Sequence, residues 1–313
     1  MKHNQNKRAL LLCRTPLQAR IMKKIVVEER INSYDLLYFT QNNSQEDRAN
    51  FDIIAQSAVF AQYIYIPPRR FDVLNHICLW WESRIFAKNR GYGTILVASI
   101  NNIVFNAILE KHRDADLVTV DDGVGNMLSD GMYSNEYGGR AELYRRLLGA
   151  SSLKTTRGRI SRHYTIFKDA TNIVSKHKLR FVDLGLRFRN KNEGGPVFFI
   201  GQPFKEILND RQIERLRMYL QTIEINYYVR HPRECVPLDF GAAELVKDGL
   251  IAEEAIARVS NGARPTLIGV SSAVLFTLSS AQADKIMLIF AESKREPWIQ
   301  LGVSAGCKLV CVP

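Results

Sequence analysis

The chain has 313 residues, too many for one small core and enough for two domains of ordinary size. Hydrophobic residues make up 46% and charged residues 24%, which excludes a disordered or fibrous chain. Lys plus Arg number 43 against 32 for Asp plus Glu, and the net charge of +11 favours an anionic partner: nucleic acid, a phosphorylated ligand or an acidic membrane face.

The N-terminus opens with basic residues, but only Ala9–Cys13 is continuously apolar. That is too short for a secretory leader and far short of the ~20 residues of a membrane helix, so the expected location is the cytoplasm. Ala9–Cys13 reads instead as the first of a series of short apolar strands. Tyr34–Thr40, Tyr63–Ile66, Thr94–Ala98 and Leu117–Val120 follow, then Val197–Ile200, Ile225–Val229, Thr266–Val270, Lys285–Phe290 and Lys308–Val312. Helical stretches separate them, among them Pro16–Glu29, about Phe71 to Ala87, and Asp210–Thr222. Continuous apolar strands alternating with helices predict parallel sheets covered on both faces. Lys191-Asn192-Glu193-Gly194-Gly195-Pro196 reads as a linker between two such series. The expected fold class is therefore α/β, with two doubly wound domains at about residues 1–190 and 191–313. Ligands in such sheets lie beyond the carboxyl ends of the strands, here in the cleft between the domains.

The five cysteines, Cys13, Cys78, Cys235, Cys307 and Cys311, contain no C-x-x-C pair and read as reduced side chains rather than a disulfide or zinc framework. The charge is concentrated: from Arg140 to Lys191 stand 14 basic residues against Glu142, Asp169 and Asp183, a surplus equal to that of the whole chain. The segment reads either as a solvated helical face or as a patch for peripheral contact with an anionic membrane or acceptor.

Three strand tips carry polar residues suited to chemistry. Val118-Thr119-Val120 runs into Asp121-Asp122-Gly123, and because strand side chains alternate, only one of the two acids can aim at a ligand. Asp-Gly is also a common turn pair. Asp114-Ala115-Asp116 has metal-binding spacing but precedes the strand, and reads as a solvated loop. Tyr227-Tyr228-Val229 ends in Arg230-His231-Pro232-Arg233, where Pro232 holds His231 extended at the tip for proton transfer, or for a purely structural role. Thr266–Val270 enters Ser271-Ser272, expected to open a helix whose free N–H groups face a phosphate, or to cap it and nothing more. Glu253 and Glu254 lie upstream, and read either as one acceptor for a ribose hydroxyl or as solvated acids on an exposed helix. P-loop, dinucleotide-binding, zinc-protease and nucleic-acid signatures are absent, so no nucleic-acid partner is expected. Trp80-Trp81, within Leu74–Phe86, reads as core or as a homodimer interface.

Taken together, these residues resemble the bacterial sialyltransferases of glycosyltransferase family 52. The likeness rests on Cys13-Arg14-Thr15-Pro16-Leu17-Gln18, Asp121-Asp122-Gly123, His231-Pro232 and Ser271-Ser272 in that order, with Gly201-Gln202-Pro203 opening the second half. It implies a GT-B arrangement of two Rossmann-like domains and inverting transfer of sialic acid from CMP-sialic acid, with no metal and no other cofactor. By the same resemblance Asp121 is the general base with Asp122 and Gly123 beside it, and Thr15, Pro16 and Gln18 line the acceptor side. His231, next to Pro232, stands at the departing phosphate, with Gly201, Gln202, Ser271 and Ser272 on the donor and Glu254, or else Glu253, on its ribose. The acceptor is expected to be a terminal galactose of lipooligosaccharide or capsule, reached at the inner face of the membrane. A polysialyl- or Kdo-type CMP-sugar transferase is the nearest alternative. A non-catalytic basic protein that binds membrane or nucleic acid is the alternative from another class.

Overall fold

A computed structural model describes residues 7–68, 72–88, 91–128, 133, 138–168, 172–188, 190–234, 236–292 and 296–313. Cys235, Asp169 and Phe71, quoted above, lie outside them, as do the side chains of Lys191, Asn192 and Glu193. The chain divides into two compact units, Met1–Leu184 and Gly185–Pro313.

In the first unit the order is β1 (Ala9–Cys13), α1 (Pro16–Glu28), β2 (Tyr34–Thr40), α2 (Gln45–Ala55), β3 (Phe60–Tyr65), α3 (Asp72–Ala87), β4 (Thr94–Val97), α4 (Ile103–Lys111), β5 (Asp116–Val120), α5 (Gly139–Leu147), α6 (Leu153–Arg159), β6 (Ile160–Thr165) and β7 (Leu179–Phe181). These strands form a parallel sheet in the order β3-β2-β1-β4-β5-β6-β7. All of β1 and β2 is buried, as continuous apolar strands between helical layers must be. Helix α1 starts where Thr15 accepts the Gln18 N–H and Pro16 takes the first helical position, where its missing donor costs nothing. It buries Gln18, Ala19, Ile21, Met22, Ile25 and Val26, one stripe at helical spacing.

In the second unit the order is β8 (Asn190–Ile200), α7 (Phe204–Ile207), α8 (Asp210–Leu220), β9 (Tyr227–Val229), β10 (Ala243–Glu244), α9 (Ala252–Ser260), β11 (Ala263–Gly269), α10 (Val274–Thr277), β12 (Asp284–Ile289), α11 (Glu296–Ser304) and β13 (Lys308–Cys311). Its parallel sheet runs β10-β9-β8-β11-β12-β13. Phe199, Tyr228 and Phe240 pack ring on ring in its core, with centroids 5.3–5.8 Å apart. Both sheets reverse direction beside their first strand, between β1 and β4 and between β8 and β11. Those switch points are where doubly wound sheets open a crevice at the carboxyl edge.

Three expectations change. Lys191–Pro196 is not a linker but the first part of β8. The two glycines let the strand run against β11 through a register shift, and a Cβ on Gly195 would collide with the Arg264 carbonyl oxygen. Strand β6 lies inside the basic segment read as helical. Its Arg162 and His163 break the apolar run, yet His163 is fully buried. The basic surplus is also only partly at the surface. Arg145 is buried and donates to the Asn101 carbonyl at 2.9 Å, and Lys178 donates to the Ile160 carbonyl at 2.6 Å. Arg159 closes the end of α4 by donating to the Leu109 carbonyl at 3.2 Å, where a helix C-terminus favours a cation. Among the described residues no helix is long and apolar enough to cross a membrane.

Candidate active site

The strand tips of the first unit converge on Asp122. Gln18, in the first turn of α1, is buried; its Oε1 accepts the Arg14 N–H at 2.8 Å and its Nε2 donates to Asp122 Oδ1 at 2.6 Å. Ser99, past the end of β4, donates to Asp122 Oδ2 at 2.9 Å, and the Tyr133 hydroxyl donates to the same oxygen. Burial and the Asp122 charge push the Tyr133 phenol well above its usual range, so it remains a donor. A carboxylate offers about four lone-pair sites. Among the described residues three are filled, which leaves one on Oδ1. Gly123 adopts φ of +55°, a left-handed turn that glycine enters without cost. Gly125 has no room for a side chain, because a Cβ would meet the Tyr133 ring at 2.7 Å.

Asp121 points the other way. It is fully buried; Oδ1 faces His163 Nε2 at 2.9 Å and Oδ2 accepts the Ile166 N–H at 2.8 Å. The other ring nitrogen of His163 meets the Thr119 hydroxyl at 2.8 Å. Both carboxylate oxygens are thus engaged inside the unit, fastening β5 to β6. The alternation along the strand resolves which of the two acids is accessible, and it is Asp122, not Asp121, that is half-buried at the strand tips.

In the second unit Gly201 and Gln202 end β8. The Gly201 N–H donates to the Val229 carbonyl at 2.8 Å, and a Cβ there would meet Glu234 Oε2 at 2.7 Å. Gln202 bridges the switch point: its Oε1 accepts the Ser271 N–H at 2.9 Å and its Nε2 donates to Ser271 Oγ at 3.3 Å. His231 follows β9, with Pro232 exposed beside it. Its Nδ1 accepts the Arg233 N–H at 3.1 Å, which leaves the proton of the neutral ring on Nε2. Burial, with Arg233 and Lys247 nearby, lowers its pKa to about 4. Glu234, buried, accepts the Tyr228 hydroxyl and the His231 N–H, the latter at 3.4 Å, and so braces the turn.

Ser271 and Ser272 lie past β11, both buried. The helix expected behind them is α10, only four residues long and capped by Ala273, so little helix dipole is available there. On α9, which starts at the same sheet edge, Glu253 is buried and burial raises its pKa, whereas Glu254 is half-buried. Asp116 begins β5 and pairs with Arg162 at 3.3 Å. Among the described residues no three His, Cys, Asp or Glu side chains are grouped to hold a metal ion.

Sequence reasoning missed Ser99, Tyr133, His163 and Glu234. Ser99 follows the strand Thr94–Ala98 and obeys the same strand-tip rule as the acids. Glu234 stands beside the His-Pro pair. Tyr133 and His163 reach their partners through tertiary packing and carry no local signal.

The sequence pattern of glycosyltransferase family 52 matches residues 36–292, most of the chain. The N-acetyllactosaminide alpha-2,3-sialyltransferase of Neisseria meningitidis is 25% identical over 72% of this chain, and the match spans only 62% of that protein's length. The CMP-N-acetylneuraminate:beta-galactoside alpha-2,3-sialyltransferase of Pasteurella multocida is 26% identical over 72% of this chain and 73% of its own. Among solved structures, an alpha/beta-galactoside alpha-2,3-sialyltransferase from Photobacterium phosphoreum superposes with a TM-score of 0.57 at 11% identity, over 98% of this chain and 99% of that one. That likeness establishes the fold, two parallel-sheet α/β domains of the GT-B type. The extent of the family match establishes the rest: the chain is a glycosyltransferase and belongs to family 52.

Proposed function

We propose that the protein transfers sialic acid from CMP-sialic acid to a terminal galactose of a bacterial surface glycan, with inversion and without a metal ion. The observation that carries this reading is the placement of the polar residues: each of the two sheets gathers them at the carboxyl edge beside its switch point. One edge offers a carboxylate held by three donors, the other a neutral imidazole with its proton on Nε2. The printed activities of the relatives point to a β-galactoside acceptor and an α-2,3 linkage.

In this reading the acceptor hydroxyl oxygen attacks the anomeric carbon as the bond to the CMP phosphate breaks, and the bonding pair leaves on the phosphate oxygen. The role of base belongs to Asp122, whose free Oδ1 site takes the hydroxyl proton; Asp121 keeps its own contacts. His231 donates Nε2–H to the phosphate, aided by Ser271 and Ser272, while Gly201 and Gln202 shape the floor of the donor site. Glu254 serves the ribose, Thr15 and Pro16 shape the acceptor side, and Gln18 orients the base. A positioned acid or base supplies about 10²–10⁴-fold each. The enzyme works in the cytoplasm against the inner face of the membrane.

The test is turnover. Purified protein with CMP-sialic acid, a galactoside panel and EDTA releases CMP and forms a sialyl product, and CMP-Kdo competes poorly. A folded protein inactive on the whole panel overturns the proposal.

The histidine also predicts a pH dependence. In the folded chain it titrates near pH 4 against an ordinary value of 6.5, so the unfolded state binds its proton first. The stabilisation is complete above pH 6.5 and is lost as pH falls towards 4. Thermal melts should show His231→Gln removing roughly 2–3 kcal/mol of that acid-side loss. A slope identical to wild type contradicts the assignment.

A further inference from the structure

Strand β1 sends Leu10 and Leu12 into one core cluster, and the alternation of the strand carries that row on to Arg14, just past its end. A guanidinium therefore stands where the pattern asks for an apolar side chain. Its central carbon lies 5.1 Å from the centroid of the Phe39 ring on β2, itself buried in the same cluster. That cation–π contact settles the half-buried side chain against the core.

Arginine carries five N–H donors and no acceptor. In Arg14 the Nε donor is closed off from solvent and has no hydrogen-bond partner. Among the described residues no carboxylate forms an ion pair with this guanidinium. A buried donor left unmade is costly, and more so on a charged group.

The position of this cation is tied to Asp122. Through the backbone, the Arg14 N–H donates to Gln18 Oε1 at 2.8 Å, and Gln18 Nε2 donates to Asp122 Oδ1 at 2.6 Å. Through space, the Arg14 charge acts on the Tyr133 hydroxyl, against the larger effects of burial and of Asp122, and that hydroxyl donates to Asp122.

The chemistry of transfer brings a second carboxylate to this place. In sialic acid the anomeric carbon bears its carboxylate directly. The acceptor oxygen bonds to that carbon while Asp122 takes its proton, so the sugar carboxylate comes within a few bonds of the Asp122 carboxylate. Two carboxylates so close repel, and a neighbouring cation offsets the repulsion. A guanidinium also grips a carboxylate through two parallel hydrogen bonds, which fixes the face that the anomeric carbon turns to the acceptor. We propose that Arg14 binds the carboxylate of the transferred sugar and so selects an acidic sugar donor over a neutral one. This deepens the transfer reading and rests on it for the identity of the sugar.

Arg14→Gln tests it, because the variant keeps the backbone N–H that orients Gln18 and loses the charge. The donors are CMP-sialic acid and its C1 carboxamide, the acceptor is a neutral β-galactoside, and both donors are also titrated by calorimetry. Wild type should prefer the acid by about 10–100-fold in kcat/KM, and Arg14→Gln should shrink that preference to within about threefold. Arg14→Lys, which keeps the charge without the fork, should fall between them. Melting temperatures should match wild type. Arg14→Gln that keeps the full preference, or that loses acid and amide transfer alike, overturns the proposal. So does a loss confined to acceptors with a carboxylate or phosphate of their own, since the anion then belongs to the acceptor. Calorimetry separates the two readings. Wild type without turnover, but with a preference for binding the acid that Arg14→Gln abolishes, overturns transfer and keeps the carboxylate site; no turnover and no preference overturn both.

Discussion

Asp122→Ala should lower turnover of CMP-sialic acid by about 10²–10⁴-fold while CMP affinity stays at its wild-type value. The size follows from the role. A general base acts in the transition state, so its loss falls on kcat and not on donor binding. We propose this carboxylate because it is the half-buried one of the pair. Gln18, Ser99 and Tyr133 fix both oxygens and leave a single lone-pair site on Oδ1 among the described residues. Asp122→Asn, which preserves shape but cannot take a proton, should be nearly as inactive. Single-turnover kinetics and CMP titration calorimetry separate the two quantities, and a variant that keeps wild-type kcat would falsify the assignment.

Changes at Asp121 should read out as stability. Its carboxylate touches His163 and the Ile166 N–H with both partners buried, so His163→Leu or Asp121→Ala leaves a buried polar group without its mate. Breaking such a pair costs about 3–5 kcal/mol, a large part of the ~5–15 kcal/mol that holds a typical domain together. Urea unfolding should show that loss for each single variant and less than the sum for the double variant, because the second change removes the stranded partner. The fraction that stays folded should turn over substrate far better than Asp122→Ala does. Equal inactivity of folded Asp121→Ala and Asp122→Ala would contradict the division of labour between the two acids.

The two-unit parallel fold was legible because buried strands announce themselves as apolar runs. Ala9–Cys13 and Tyr34–Thr40 match β1 and β2 residue for residue. Where a strand carries charge the signal fails: Arg162 and His163 hid β6, although the buried His163 finds its partners in Thr119 on β5 and Asp121 just past it. The glycines of Gly194-Gly195-Pro196 read as a break because a close backbone approach and a linker ask for the same residue. Strand-tip logic singled out the acid pair, His231 and the serines, and the resemblance added Gln18; all lie beyond strand ends. The choice between Asp121 and Asp122 depends on which face of β5 packs inward: the resemblance pointed to Asp121, whereas the burial of Asp121 leads us to propose Asp122. Ser271-Ser272 reads as the opening of a helix whose N–H groups face a phosphate, and the helix that follows, α10, has only four residues. Tyr133 reaches Asp122 only because Gly125 yields space to its ring, a relation between distant atoms that no local pattern encodes.

A crystal structure with CMP bound tests the proposed site most directly. The phosphate is expected within about 2.6–3.2 Å of His231 Nε2 and in contact with Ser271 or Ser272, the ribose at Glu254, and Asp122 on the side from which the acceptor hydroxyl arrives. CMP bound away from the carboxyl edge of β8, β9 and β11, or a phosphate that His231 does not touch, would contradict it.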